Sequence, residues 1–148
     1  MNIEEIKKLR QETGAGFTEC KKAYEEAGED FQKTLEILKG EAEKRAERKA
    51  ERQIKAGLVS SYIHGSGKMG ALLKVGCETD FVAKNEEFQK MVRDIAMHIV
   101  AMNPQNEEEL LAQPFVKNPD ITIKDYIQGA ITRIGENIKI EQFVRFEV

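Results

Sequence analysis

The 148-residue chain contains no tryptophan, three prolines, two cysteines and two histidines. Each scarcity excludes something. Cys20 and Cys77 lie far apart and form no CxxC pair, so neither a disulfide framework nor a thiolate metal site is indicated, and both read as buried small hydrophobes. With His64 and His98 alone, no HExxH motif or histidine metal spacing is possible; GxSxG, P-loop and dinucleotide fingerprints are absent too. No catalytic residue, metal ligand or cofactor is therefore expected, and the chain reads as a binding protein rather than an enzyme. No apolar run approaches the roughly 20 residues that a membrane-spanning helix requires. Residues 1–10 carry Glu4 and Glu5 among lysines and have no apolar signal core, which points to a cytoplasmic chain. Net charge is −3, without the basic excess of a nucleic-acid binder, so no direct nucleic-acid binding is expected.

What is present divides by pattern. Over residues 1–39, Ile3, Ile6 and Leu9 stripe a first helix stopping at Thr13-Gly14. Thr18 offers a cap for a second helix that ends at Gly28. Asp30 caps a third, with Phe31, Leu35 and Leu38 on its inner face. Residues 40–56 are charge-rich, with alanines at 42, 46 and 50 and favourable i,i+4 pairs Glu41–Arg45 and Glu51–Lys55. This stretch reads as a solvated helical linker, or as an electropositive strip facing an acidic partner; a nucleic-acid arm is disfavoured because no aromatic interleaves the charges.

From residue 57 to 148 the period changes. Leu58 to His64 and Met69 to Val75 flank Gly65-Ser66-Gly67 as a hairpin, and residues 138–147 alternate as a third strand with a bulge near Gln142-Phe143. Helices are expected from Asn85 to about Ala101, where His98 sits as a satisfied core imidazole, and near Lys124 to Ile131. The class is α+β: a three-helix bundle, a charged helical linker, and a core of a small antiparallel sheet packed with helices. Between the second strand and the long helix stands Glu78-Thr79-Asp80-Phe81-Val82-Ala83. Thr79 or Asp80 could cap the helix with Phe81 folded inward as a hydrophobic staple; alternatively, Asp80 and Phe81 form an exposed wedge for a partner.

Leu9-Arg10-Gln11-Glu12-Thr13-Gly14-Ala15-Gly16 with Cys20-Lys21-Lys22-Ala23, and Cys77-Glu78-Thr79-Asp80-Phe81-Val82-Ala83, resemble the two signatures of the elongation factor Ts family. Ile95 to Ile99, Gln113 to Val116 and Phe143 to Val148 are similar to further family segments, in the family's order. The resemblance implies a guanine-nucleotide exchange factor for elongation factor Tu in translation elongation, with a ubiquitin-associated-like N-terminal bundle. It assigns Thr79, Asp80, Phe81 and Val82 to the element that dislodges the GTPase's Mg²⁺ so that GDP leaves and GTP can bind. Arg10, Phe17, Thr18 and His64 are implied as further partner contacts; Phe17 and Thr18 stand where a Met-Met pair is common. Long members carry two related core halves and short ones pair two chains, so the single core here implies a homodimer.

Overall fold

In a computed structural model, described over residues 2–148, the chain is α+β. Met1, the first residue of the expected N-terminal module, lies outside the described residues. Helix α1 (Ile3–Thr13) starts where the Asn2 side chain accepts from the Glu4 and Glu5 amides, and it ends at Gly14, whose φ of +74° is left-handed. Helix α2 (Phe17–Glu26) begins one residue before Thr18. Its N-cap is Gly16, with no side-chain cap, so Thr18 lies inside the first turn and not at the cap. Asp30 caps α3 (Phe31–Lys49) by accepting from the Lys33 amide at 3.0 Å. Ile6, Leu9, Cys20, Ala23, Tyr24, Leu35 and Leu38 close the bundle core.

Helix α3 does not stop at Lys39. It continues through the charge-rich stretch to Lys49, because its inner stripe continues: Ala42 follows Leu38 at helical spacing and is buried, and Ala46 packs on the main core. Small side chains there let α3 lie against the rest of the molecule while its charges face outward. The expected Glu41–Arg45 pair does not form. Arg45 instead reaches Glu19 on α2, and Glu41 meets Lys44. Residues 50–55 are irregular, so Glu51 and Lys55 share no helix.

The sheet comprises β1 (Ala56–His64), β2 (Met69–Cys77) and a C-terminal strand, β5 (Lys139–Glu147), all antiparallel in the order β1-β2-β5. Lys74 pairs with Gln142 and Val75 with Ile140, which leaves Glu141 as an extra residue: the bulge falls one position before the expected site. One sheet face carries Ala71, Leu73 and Val75 into a core with α5 (Glu86–Met102), which contributes Phe88, Met91, Val92, Ile95 and Ile99. The opposite face carries Val59, Ile63, Leu72, Val144 and Phe146, all exposed.

Sequence patterning left three short elements unanticipated: α4 (Asp80–Ala83), α6 (Glu107–Ala112) and a hairpin of β3 (Pro114–Phe115) with β4 (Asn118–Thr122). Helix α7 (Ile123–Ile134) opens on a capping box between Thr122 and Asp125 and joins bundle to core. It packs on α1 and α3, with Lys39–Asp125 at 3.3 Å and Lys124–Glu43 at 3.2 Å spanning the junction. No described helix is long and apolar enough to cross a membrane.

Candidate functional site

Strand β2 delivers the chain to α4 through Glu78 and Thr79. Thr79 adopts extended backbone and caps α4, its hydroxyl oxygen accepting from the Val82 amide at 3.3 Å. Thr79 therefore caps a separate four-residue helix; the cap of α5 is Asn85, which accepts from Glu87 at 2.8 Å and Phe88 at 3.2 Å. Helical spacing then splits the motif. Val82 and Ala83 turn into the core, Val82 at 5% exposure, whereas Asp80 and Phe81 turn out. Phe81 is 83% exposed, which rules out an inward staple. The Asp80 carboxylate has no hydrogen-bond or ion-pair partner among the described residues, so its acceptors remain available.

The residues before α4 are held firmly. The Glu136 carboxylate, just past the end of α7, accepts from the Glu78 amide at 3.0 Å, the Thr79 amide at 3.1 Å and the Thr79 hydroxyl at 2.7 Å. Glu78 answers by accepting from the Asn137 amide at 2.8 Å and pairing with Arg52 at 3.7 Å. Asn137 in turn donates its side-chain amide to the Arg52 carbonyl at 2.9 Å. Cys77 is buried and its thiol donates to the Thr79 carbonyl at 3.3 Å. Burial is the first cause pushing that thiol's pKa up, so it is an anchor and not a nucleophile.

Spacing could not reveal what Glu78, Glu136, Asn137 and Arg52 do for one another. Gly135, left-handed at the end of α7, signals a helix stop, but nothing local says that the acid after it meets a loop 57 residues away.

The other expected contact residues fall into two places. Arg10, with Gly14 and Gly16, lines a cleft whose opposite wall is Glu87, Lys90 and Met91 at the start of α5, one turn beyond α4. Arg133 bonds Glu87 across it. Phe17 and Thr18, both exposed, follow Gly16 at the start of α2. His64 stands elsewhere. Pairings of Ala56 with Cys77 and His64 with Met69 set it at the opposite end of the β1–β2 ladder from the Phe81 loop, about 26 Å away at ~3.3 Å per residue. Its Nδ1 meets the Tyr62 hydroxyl at 3.1 Å.

His98 is fully buried, with Nε2 2.9 Å from the Gln113 side-chain oxygen and Nδ1 accepting from the Val116 amide at 3.1 Å. An accepting Nδ1 assigns the proton to Nε2, a neutral structural imidazole. Among the described residues no group of three His, Cys, Asp or Glu side chains could hold a metal ion.

A family model described as Elongation factor TS matches residues 78–148, the segment running from the clamped loop to the last strand. Proteins called elongation factor Ts in Carboxydothermus hydrogenoformans and Thermodesulfovibrio yellowstonii are each 40% identical over 97% of this chain, covering 87% and 94% of those relatives. One in Alkaliphilus metalliredigens is 41% identical, again over 97% of the chain and 87% of the relative. These alignments extend over 187 or 188 positions, so the relatives carry residues that this chain does not. The chain belongs to the elongation factor Ts family, whose members are translation elongation factors.

Proposed function

We propose that the chain is the cytoplasmic guanine-nucleotide exchange factor for elongation factor Tu, and that the Thr79–Val82 segment is its working element. The observation that carries this reading is Phe81: an aromatic ring 83% exposed beside an unpartnered carboxylate, on a loop held by several hydrogen bonds. Exposing a ring that large is unfavourable for the free protein and is offset when a partner covers it. Phe81 enters the GTPase, Asp80 accepts hydrogen bonds there, Val82 roots the helix in the core, and Thr79 fixes its start. The displaced Mg²⁺ belongs to the GTPase, where it offsets phosphate charge; without it GDP is held less tightly. Exchange is then reciprocal coupling: a factor that favours the nucleotide-free GTPase weakens GDP as much as GDP weakens the factor. Proton transfer has no part in it, and no cofactor is needed.

On this reading the bundle, a ubiquitin-associated-like module, adds affinity through Arg10, Phe17 and Thr18. His64 serves the same partner from a second copy of the chain, because within one chain it lies a full strand length from Phe81. The uncovered Val59–Leu72–Val144 face is the surface on which the two copies pair.

The deciding experiment is GDP release from purified elongation factor Tu. Phe81→Ala should lower the stimulated rate by about a hundredfold, the scale of a central interface aromatic, and leave stability within about 0.5 kcal/mol. Wild-type exchange by that variant would overturn the reading.

A further inference from the structure

We infer that Glu136 is a positioning residue for the Asp80–Phe81 pair, acting through Thr79; this rests on the exchange reading above. The site as defined by its motif ends at Val82, yet the motif cannot set its own direction. Its internal restraints are those of a single turn: the Thr79 hydroxyl on the Val82 amide at 3.3 Å, and the Ala83 and Lys84 amides on the Thr79 and Asp80 carbonyls at 3.2 and 3.1 Å. A four-residue helix is marginal in isolation and fixes nothing about how it is aimed.

Glu136 supplies the missing restraint from outside. Its Oε1 accepts from two successive backbone amides, Glu78 at 3.0 Å and Thr79 at 3.1 Å, and its Oε2 accepts from the Thr79 hydroxyl at 2.7 Å. Because the O–H points at Glu136, the hydroxyl lone pairs are left to accept from Val82, so the carboxylate orients the cap itself. A second carboxylate makes the clamp mutual: Glu78 accepts from the Asn137 amide at 2.8 Å. Each acid thus bonds the backbone of the other's segment, and the turn after α7 cannot shift without moving the start of α4. Hydrogen bonds to a charged acceptor are the stronger kind, and rigid support around a protruding contact group lowers the cost of ordering it on binding.

The test separates positioning from bulk stability. For the full-length chain, GDP release from elongation factor Tu is measured against factor concentration. Glu136→Ala removes three hydrogen bonds to a charged acceptor, of which one alone is worth about tenfold, so it should lower the maximal rate at least about tenfold and shift the half-saturating concentration less than about twofold. Glu136→Gln retains a carbonyl oxygen for the two amides but presents a donor to the Thr79 hydroxyl, and should recover only part of the rate. In a Phe81→Ala background, Glu136→Ala should add a loss of much less than about tenfold, because only Asp80 is left to place. An unchanged maximal rate for Glu136→Ala, or a full tenfold loss persisting in the Phe81→Ala background, overturns the proposal. If Glu136→Ala does not fold, Thr79→Val, which removes the donor to Glu136 and the acceptor for Val82, carries the test, and an unchanged rate there overturns it equally. Failure of the underlying reading looks different: Phe81→Ala alone would then exchange normally.

Discussion

Gly14 and Gly129 meet backbone to backbone: a β-carbon on Gly14 would lie 2.3 Å from the Gly129 carbonyl oxygen. Gly14 also carries the left-handed φ of +74° that closes α1, its amide donating to Arg10 at 2.9 Å. One residue thus ends a helix and seats the bundle on α7. The seat is flanked by Lys8–Asp120 at 3.8 Å and Lys39–Asp125 at 3.3 Å.

Gly14→Ala should therefore be costly twice over, through left-handed strain and through collision with a carbonyl that cannot rotate away. We expect a loss of about 2–3 kcal/mol in denaturant unfolding. Gly16→Ala is the matched control, with φ of −70° and no atom within 4 Å of its added carbon, and should change stability by less than about 0.5 kcal/mol. Equal stabilities would show that the close approach does not constrain the molecule.

Glu12 is buried at the same junction, and its Oε2 has no hydrogen-bond partner among the described residues. Burial raises its pKa above the ordinary carboxylate value, with Lys8 pulling the other way. A raised carboxyl pKa means the native state holds the proton better than the unfolded one. Stability attached to it is present at low pH and is lost as pH climbs through 4.5 and above. Glu12→Gln should thus stabilise the protein by about 1 kcal/mol at pH 7 and by little at pH 4. A gain independent of pH would assign the effect to something other than the buried charge.

His98 has the opposite sign. Burial, opposed by its bond to Gln113, lowers the imidazole pKa below 6.5. The unfolded chain then takes up a proton that the native one refuses, and stability falls as pH drops below about 6.5, by up to ~1.4 kcal/mol per unit. Melting temperatures between pH 7 and 5 should show this slope, and His98→Gln should flatten it. The same slope in both proteins would place the titration elsewhere.

Leu72 and Val144 are register partners on the sheet face that no described residue covers. If two copies pair there, sedimentation at micromolar concentration should give a dimer, and Val144→Asp should give folded monomers with reduced exchange. A wild-type monomer at full activity would refute pairing through this face.

Legibility from sequence followed the range of the forces involved. The strands from Leu58 and Met69, the Asp30 cap and the long helix ending near Met102 were readable because period and capping act over a few residues. The end of the third helix was not, because Ala42 and Ala46 look like filler among charges until α7 is known to pack beside them. Helix α4 escaped for a similar reason, since four residues carry no periodicity. At the candidate site, the resemblance pointed to Thr79 to Val82, but pattern alone favoured Phe81 as an inward staple over an exposed wedge. Its exposure is decided by Thr79 starting a separate turn whose inward position falls on Val82. Glu136 and Asn137 were invisible because their partners are remote in sequence.

The late position of the clamp bears on how the protein is made. Synthesis delivers residues 78–82 long before residues 136 and 137, and β2 before its second neighbour, β5. A nascent chain that has reached α5 therefore carries its aromatic ring on a segment that lacks the Glu136 clamp, beside a sheet with an open edge. If the Phe81 loop is the contact surface proposed above, it matures only when the last strand zips along β2, and partial products truncated before Glu136 should compete poorly with finished molecules for elongation factor Tu.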